Sequence, residues 1–387
     1  MTLNEPEHIR MIRETVRRFV DQEMTRRKAY EWDRDNHFPR DVFGKLAETG
    51  MMAVTIPEEF GGSGRDILAT MAVIEELGRR SLAVAVPYIM STCYAGMNLV
   101  ECGSEEQKLE YLPKVAKGEL MFAYGWTEPD VGADLASVKS TAKRVGDKII
   151  VNGTKRFCSG AGIADYIYAL VRTGPADERY RNLSIVLIPP NTPGVDIDFL
   201  DCMGMKGAAT TDVSFSDVEI PIANVIGGAD GWNRGWEFIV GSGLDVEKLE
   251  VAALSLGIAV GAVEDAWAYV QERQQFGRRI LEHQSIRHML ADMQTSLHAC
   301  RLVMAQAASL AQAGERCSIE TSMAKLFICE AAKKIVLDCQ TIHGAYGYEK
   351  EFGIERYVRD VLLMPIIGGS SAIQRNNIVN WMGLPKA

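Results

Sequence analysis

The sequence lacks the cysteine and histidine patterns that mark metal centres and disulfide frameworks. Its eight cysteines form no C-x-x-C pair, and its six histidines form no H-x-x-x-H pair. These spacings suit neither a zinc site nor a small disulfide scaffold. We therefore expect inert thiols in a reducing compartment and no catalytic metal.

Positive charge and targeting segments are lacking as well. The formal net charge is −9, which argues against nucleic acid as the main partner because nucleic-acid-binding proteins usually carry a basic surface. The first 20 residues mix acidic with basic side chains and contain no apolar core, unlike a signal or transit peptide. The apolar run at 251–263 is too short to span a bilayer. We expect a cytoplasmic protein without membrane insertion.

The residue pattern changes along the chain from helical to strand-like and back to helical. Apolar residues recur at helical spacing near the N-terminus, and Ser104 with Gln107 forms a capping-box pattern. Short segments rich in Val, Ile and Tyr then predict strands, and helical patterns return after them. The run 251–263 is apolar on every side, which predicts a buried central helix over 243–272. We predict an α+β fold with an N-terminal helical domain (1–120), a middle β-barrel or β-sandwich domain (121–225) and a C-terminal four-helix-bundle domain (226–387).

Residues 343–374 carry the most specific motif, HGAYGYEKEFGIERYVRDVLLMPIIGGSSAIQ. This resembles the C-terminal signature of the acyl-CoA dehydrogenases, in which a Gly-rich turn, a helix ending in R-x-x-R-D and a flavin-contacting loop follow one another. The resemblance covers nearly the whole chain and implies the three-domain fold of that family with FAD as cofactor. It assigns Gly344 of the turn and Ser370 of the loop to the cofactor site.

The middle part contains two further stretches that resemble this family. In YGWTEPDVGAD the resemblance implies that Thr127 and the backbone of Trp126 hydrogen-bond the isoalloxazine ring. Gly132 and Ala133 continue that loop, with Ala133 where serine is usual. The second stretch, NGTKRFCSGAG, has Phe157 in the place of the aromatic residue that flanks the flavin and Ser159 in the place of the hydroxyl that bonds flavin N5.

A third stretch, YVQERQQFGRRI, resembles the family pattern E-R-x-x-F-G. The resemblance implies that Arg273 and Phe276 reach the pyrophosphate and adenine of an FAD bound to a neighbouring subunit. A guanidinium group suits a pyrophosphate well because its planar donors match two oxygens at once. Thr341 stands where many relatives have a glutamine near the adenine half of FAD.

The position at which most family members keep the catalytic glutamate is Gly368, which has no side chain to act as a base. The isovaleryl-CoA dehydrogenase branch carries its glutamate elsewhere, in a pattern like L-D-x-E-R, and this chain reads LDVEK there. By that resemblance Glu247 is the catalytic base. Asp245, Lys248 and the backbone of Gly368 are then expected to bind substrate.

A physical argument points the same way for Glu247. Val251, Leu254 and Ile258 lie on its helical face, so its carboxyl sits at the edge of an apolar wall that raises a carboxyl pKa. The helix is apolar on other sides too, so periodicity alone leaves Glu250 open as the base. A chain without any base also stays open.

The resemblance implies an FAD-dependent acyl-CoA dehydrogenase that forms 2,3-enoyl-CoA, assembles as a homotetramer and passes electrons to electron-transferring flavoprotein. Three alternatives stay open: an enoyl-CoA reductase, a flavin oxidase or monooxygenase, and a catalytically silent subunit whose partner supplies the base. The substitutions at Gly368, Ala133, Thr341, Ala345 and Ala372 motivate the last of these.

Overall fold

The computed structural model describes residues 5–240 and 242–383. Residues 1–4, 241 and 384–387 of the predicted domains lie outside the described residues. The first part of the chain is helical, as predicted, and its amphipathic first helix buries Ile9, Val16, Phe19 and Val20. The helices of this part are α1 (Glu7–Glu23), α2 (Arg26–Arg34), α3 (Arg40–Glu48), α4 (Ile67–Gly78), α5 (Leu82–Tyr88), α6 (Asn98–Cys102) and α7 (Glu105–Ala116).

Between α5 and α6 the chain forms a π-helix over Ile89–Met97, which the sequence patterns did not predict. A π-helix bonds each N–H to the carbonyl five residues earlier, and such segments are frequent at functional sites. Pro87, near the end of α5, cannot donate to the α-helical ladder just before this change. The capping box predicted at the start of α7 is confirmed, with Ser104 and Gln107 bonding each other's backbone.

The middle part folds into one curled, seven-stranded sheet. Its strand order is β1-β4-β2-β3-β7-β6, with β5 paired to β4. The β1–β4 and β2–β4 pairs are parallel and the other pairs are antiparallel. The strands are β1 (Phe122–Gly125), β2 (Thr141–Val145), β3 (Lys148–Ser159), β4 (Tyr166–Arg172), β5 (Leu183–Ile188), β6 (Val195–Phe199) and β7 (Thr210–Pro221).

The last part is again helical and contains a small hairpin. Its elements are α8 (Gly235–Ile239), α9 (Ser242–Glu272), β8 (Gln274–Gln275), β9 (Arg278–Arg279), α10 (Gln284–Gln312), α11 (Ser318–His343), α12 (Ile354–Leu363) and α13 (Ser371–Trp381). The expected order of helices, strands and helices is therefore confirmed.

Helix α9 is the central element of the helical core. Residues 251–263 are all buried, as their all-round apolar pattern predicts. Two glycines let α9 approach α4 closely: a Cβ atom on Gly257 would lie 2.3 Å from the carbonyl oxygen of Glu75, and one on Gly261 would lie 2.0 Å from that of Arg79. This close packing holds α9 against α4 at these two positions.

Hydrogen bonds hold the middle sheet against both helical parts. The N–H of Met205 donates to Asp360 of α12 at 2.8 Å, and the N–H of Gly207 donates to Asn36 after α2, also at 2.8 Å. These two bonds tie the segment between β6 and β7 to α12 on one side and to the end of α2 on the other.

One helical stretch, Leu82–Cys102, is long and apolar enough to cross a membrane by length and composition. Inside the protein, 83% of that window is buried. It therefore packs as a core element of the helical part.

Candidate active site

The carboxyl group of Glu247 lies beside Gly368, on the loop between α12 and α13. A Cβ atom built on Gly368 would lie 3.8 Å from Oε1 of Glu247. The two positions that the sequence proposes for a catalytic glutamate therefore open onto the same space. A carboxyl group from α9 occupies the place that a side chain at 368 would enter.

The environment of Glu247 suits a general base. Burial raises its pKa from 4.5 to about 7, against the lowering effects of Lys248, of a hydrogen bond with Tyr94 and of Lys325. A base is most effective when its pKa lies near the working pH. Tyr94 lies on the π-helix, so this helix brings a phenol hydroxyl to the carboxyl group of Glu247.

The loop that carries Gly368 is held by side chains from two helices. Buried Lys325 of α11 donates to the carbonyl of Met364 at 3.0 Å. The amide nitrogen of Gln374 donates to the carbonyls of Gly368 and Gly369 at 3.1 and 2.9 Å. Neither Lys325 nor Gln374 was predicted from the sequence. Both hold the loop backbone in place next to Glu247.

Ser370 caps helix α13, because its hydroxyl accepts a hydrogen bond from the N–H of Ile373 at 3.4 Å. Gly368 has φ +57°, in the left-handed region that favours glycine. A side chain at 368 would also meet Cγ2 of Val251, 2.8 Å from the position of its Cβ. The loop is therefore shaped for glycine at this position.

The loop with Trp126 and Thr127 is anchored by a buried ion pair. Glu128 accepts hydrogen bonds from Nζ of Lys155 at 2.8 Å and from the N–H groups of Lys139 and Ser140 at 2.6 and 2.9 Å. Lys155 is fully buried and Glu128 is 5% exposed. A buried carboxylate of this kind needs such partners. The pair fixes the loop against β3.

The neighbouring part of β3 presents Phe157 and Ser159. The N–H of Arg156 donates to the carbonyl of Thr127 at 2.8 Å, which ties together the two stretches that the sequence predicts to contact flavin. Phe157 is 55% exposed and has φ +56°, at a register shift between β3 and β7. Strained backbone of this kind is concentrated at functional sites. Ser159 lies 3.2 Å from the hydroxyl of Thr210.

These features fit the isoalloxazine ring of FAD. An open aromatic face, adjacent hydroxyl groups and a rigid loop backbone offer one stacking surface and several hydrogen-bonding groups. A Cβ atom on Gly132 would meet no described atom within 4 Å, so this side of the loop is open. Ala133 follows in the same turn. The bond from Arg156 to Thr127 joins the stretch with Trp126 and Thr127 to the stretch with Phe157, and their contact with FAD stays a prediction.

Two helix ends carry the other residues predicted to bind FAD: Arg273 and Phe276 follow α9, and Thr341 and Gly344 lie at the C-terminal end of α11. The guanidinium group of Arg273 lies over the ring of Tyr346, 5.3 Å from its centre. Phe276 is 93% exposed at the tip of the β8–β9 hairpin. Gly344 has φ +61° and ψ −137°, a conformation open to glycine alone. The Thr341 hydroxyl donates to the carbonyl of Leu337 within its own helix.

Asp245 and Lys248 bind each other and helix α11. Nζ of Lys248 lies 2.8 Å from Oδ1 of Asp245. The hydroxyl groups of Ser318 and Thr321 donate to the same carboxylate at 2.9 and 3.0 Å. The pair therefore links α9 to α11. Glu247 takes no part in these hydrogen bonds. Their role in substrate binding stays a prediction.

A small cavity, partly open to solvent, lies between the π-helix, β1 and the start of α9. Glu247 and Glu250 both line this Glu247 cavity, together with Cys93, Tyr94 and Trp126. Glu250 is only 1% exposed. The sequence suggested both glutamates, but no periodic pattern predicted Cys93 or Tyr94, because they lie on the irregular π-helix.

Comparison with known proteins matches these parts to one family. The family models for the N-terminal, middle and C-terminal domains of acyl-CoA dehydrogenase match residues 6–119, 123–218 and 233–383. An acyl-CoA dehydrogenase of Bacillus subtilis (strain 168) is 36% identical over 374 residues, 96% of this chain and 97% of the relative. The caffeyl-CoA reductase-Etf complex subunit CarC of Acetobacterium woodii is 34% identical over 381 residues, 98% of this chain and 99% of the relative.

The solved structure of butyryl-CoA dehydrogenase from Megasphaera elsdenii superposes with a TM-score of 0.93 at 26% identity, covering 99% of this chain and 100% of the other. Sequence, fold and site geometry agree. The chain is a member of the acyl-CoA dehydrogenase family, a group of flavoprotein oxidoreductases that use FAD.

Proposed function

We propose that this protein catalyses the α,β-dehydrogenation of an acyl-CoA thioester to the 2,3-enoyl-CoA with Glu247 as the catalytic base. The observation that carries the proposal is the position of Oε1 of Glu247, 3.8 Å from where a side chain at Gly368 would begin. A relocated carboxyl can therefore reach the α-carbon that a glutamate at 368 would otherwise reach.

In this mechanism the Glu247 carboxylate removes the α-proton of the bound thioester and holds it. Its pKa of about 7 leaves a large fraction ionised at neutral pH while keeping the group strongly basic. The N–H of Gly368 hydrogen-bonds the thioester carbonyl and stabilises the negative charge that develops on its oxygen. Bound FAD would supply the acceptor for the hydride that leaves the β-carbon.

The proposed quaternary structure is a homotetramer in which FAD contacts two subunits. Residues 247 and 272 lie at opposite ends of α9, roughly 38 Å apart at 1.5 Å per residue. One extended FAD cannot span that distance. Arg273 and Phe276 of one chain therefore contact the FAD that is bound to another chain. Electron-transferring flavoprotein is the proposed electron acceptor, in keeping with the Etf complex of the relative CarC. The proposed location is the cytoplasm.

The reverse reaction, reduction of an enoyl-CoA, is the second candidate. The observation that favours it is the similarity to CarC, a subunit of a caffeyl-CoA reductase-Etf complex. A carboxyl with a pKa of about 7 is also protonated in a large fraction at neutral pH. It can then deliver a proton to the α-carbon, the reverse of its role in dehydrogenation.

The test is anaerobic flavin bleaching by a panel of saturated acyl-CoA thioesters, with analysis of the enoyl product. We expect bleaching in the wild-type protein. In Glu247→Gln the rate should fall by at least about 10³-fold, because a positioned base contributes roughly 10² to 10⁴. Glu237→Gln, on the exposed face of α8, is the matched control and should keep the wild-type rate.

Each outcome separates the candidates. Near-normal bleaching in Glu247→Gln would contradict the assignment of the base. Reoxidation of the flavin by enoyl-CoA at a rate well above its reduction by acyl-CoA would favour the reductase. If no thioester reacts with the wild-type protein in either direction, that result would favour a catalytically silent subunit.

A further inference from the structure

The Glu247 cavity contains two buried polar atoms whose hydrogen-bonding capacity is unused. These are Nε1 of Trp126 and Oε2 of Glu250, and neither has a hydrogen-bond partner among the described residues. Trp126 is 6% exposed and Glu250 is 1% exposed. An unpaired polar atom in a buried place is unfavourable, and in a native structure it calls for an explanation. Both side chains line the cavity next to the proposed base.

Both atoms can act as donors. The indole nitrogen carries a hydrogen and cannot accept. Burial, and then the neighbouring Glu247, raise the pKa of Glu250 well above its ordinary value, which favours the protonated carboxyl over the carboxylate. A side-chain hydrogen bond links Glu250 to Cys93. The unpaired Oε2 is thus free to carry the O–H group.

The charges that line the cavity narrow the choice of ligand. Of the described residues that line it, none is lysine, arginine or histidine, and two are glutamates. A carboxylate on the acyl group would add a further negative charge beside two glutamates, with no cation among the side chains that line the cavity, which is unfavourable. A neutral oxygen, such as a hydroxyl, can accept from both donors without this penalty.

The spacing along α9 sets where that oxygen must be. Glu247 and Glu250 are three residues apart, so their Cβ atoms are neighbours about 5–6 Å apart on the helix surface. If the α-carbon of the substrate lies at Glu247, an atom that reaches Glu250 lies a few bonds farther along the acyl chain. This corresponds to an oxygen on C4 or C5.

We propose that the Glu247 cavity selects short acyl-CoA thioesters with a hydroxyl group on C4 or C5, bound by Glu250 and the indole N–H of Trp126. This specificity rests on the proposed function, because it assumes that the acyl group binds at Glu247. Glu250 is then a specificity residue, and a methyl group in place of the hydroxyl leaves both donors unpaired.

The test compares crotonyl-CoA with 4-hydroxycrotonyl-CoA by titration calorimetry on the oxidised, FAD-loaded protein. The two ligands differ by one oxygen, and neither can be dehydrogenated as saturated thioesters are. We expect the hydroxylated ligand to bind about 10- to 100-fold more tightly, the range for pairing a buried polar group. Glutaconyl-CoA, which ends in a carboxylate, should bind more weakly than crotonyl-CoA.

Two variants locate the effect. Glu250→Leu removes the donor and should reduce the affinity ratio of the two ligands to near one. Glu250→Gln keeps a neutral donor and should retain most of the ratio. The ratio within each variant is the readout, because a general loss of folding or of FAD lowers both affinities together.

Equal affinity for the two ligands in the wild-type protein would overturn the proposed specificity. A ratio that persists in Glu250→Leu would overturn the role of Glu250. If neither crotonyl-CoA nor 4-hydroxycrotonyl-CoA binds, the preference for short acyl groups fails, whereas the proposed function fails only if no saturated acyl-CoA thioester reduces the flavin.

Discussion

Replacing Glu247 by glutamine should abolish most of the activity and at the same time stabilise the protein at alkaline pH. The reason is the pKa of this carboxyl, which burial raises from 4.5 to about 7. The folded protein therefore binds the proton more tightly than the unfolded chain does. The stability associated with Glu247 is fully present below pH 4.5 and is lost as the pH rises to about 7.

The size of this change in the free energy of unfolding follows from the shift in the pKa of Glu247. Above pH 7 the ionised carboxylate lowers the free energy of unfolding by up to about 3 kcal/mol, at about 1.4 kcal/mol for each pH unit between the two pKa values. Partial access of solvent from the cavity reduces that figure. Glutamine has nearly the same shape and carries no charge at any pH. The stability of the variant relative to the wild type should therefore rise between pH 4.5 and about pH 7 and stay constant at higher pH.

The assay is the melting temperature of the FAD-loaded protein at pH 5 and pH 8, at equal protein and FAD concentrations. We expect Glu247→Gln to melt a few degrees above wild type at pH 8 and to differ little at pH 5. Glu237→Gln is the control, because its exposed carboxylate pairs with Arg234 at 2.8 Å and its pKa is lowered. A melting difference that is the same at both pH values would refute the reasoning.

Three further predictions concern the same site. In the dehydrogenation direction kcat/KM should rise with pH and level off above about pH 7, where Glu247 is ionised; a flat profile in pre-steady-state flavin reduction would contradict this. Adding Gly368→Glu to Glu247→Gln should restore part of the rate of flavin reduction by short linear acyl-CoA thioesters. Adding Val251→Ala as well should restore more, because it removes the methyl group that lies 2.8 Å from the new Cβ. No further increase in rate on adding Val251→Ala would contradict this prediction. Arg273→Ala should weaken both FAD retention and tetramer stability, because a bound ligand stabilises the assembly that holds it; gel filtration after dilution checks it, and a variant that keeps FAD and tetramer alike would disprove the contact.

The regular parts of the fold were predictable because their signals are periodic. The N-terminal amphipathic helix, the capping box at Ser104 and the buried run of α9 each follow from spacing in the sequence, and the structure confirms them. The strands of the middle part were visible as short β-branched segments. Their order in the sheet was not, because pairing is set by contacts between distant segments.

In the candidate site, only the residues that belong to sequence motifs could be predicted. Spacing alone did not distinguish Glu247 from Glu250, because α9 is apolar on every side. The structure separates them by burial, since Glu250 is 1% exposed while Glu247 opens toward Gly368. Tyr94 and the Lys155–Glu128 ion pair were missed because the first lies on a π-helix and the second joins residues 27 positions apart.

The π-helix at Ile89–Met97 has a consequence for how this enzyme can evolve. Bonding at i→i+5 accommodates one more residue than an α-helical ladder does, so loss of a single residue can convert the segment to α-helix. The neighbouring helices α5 and α6 then keep their positions. Since Cys93, Tyr94 and Met97 all line the Glu247 cavity, one-residue deletions and insertions can reshape it between relatives. New acyl specificities are therefore open to this scaffold without any change in α9 or its glutamates.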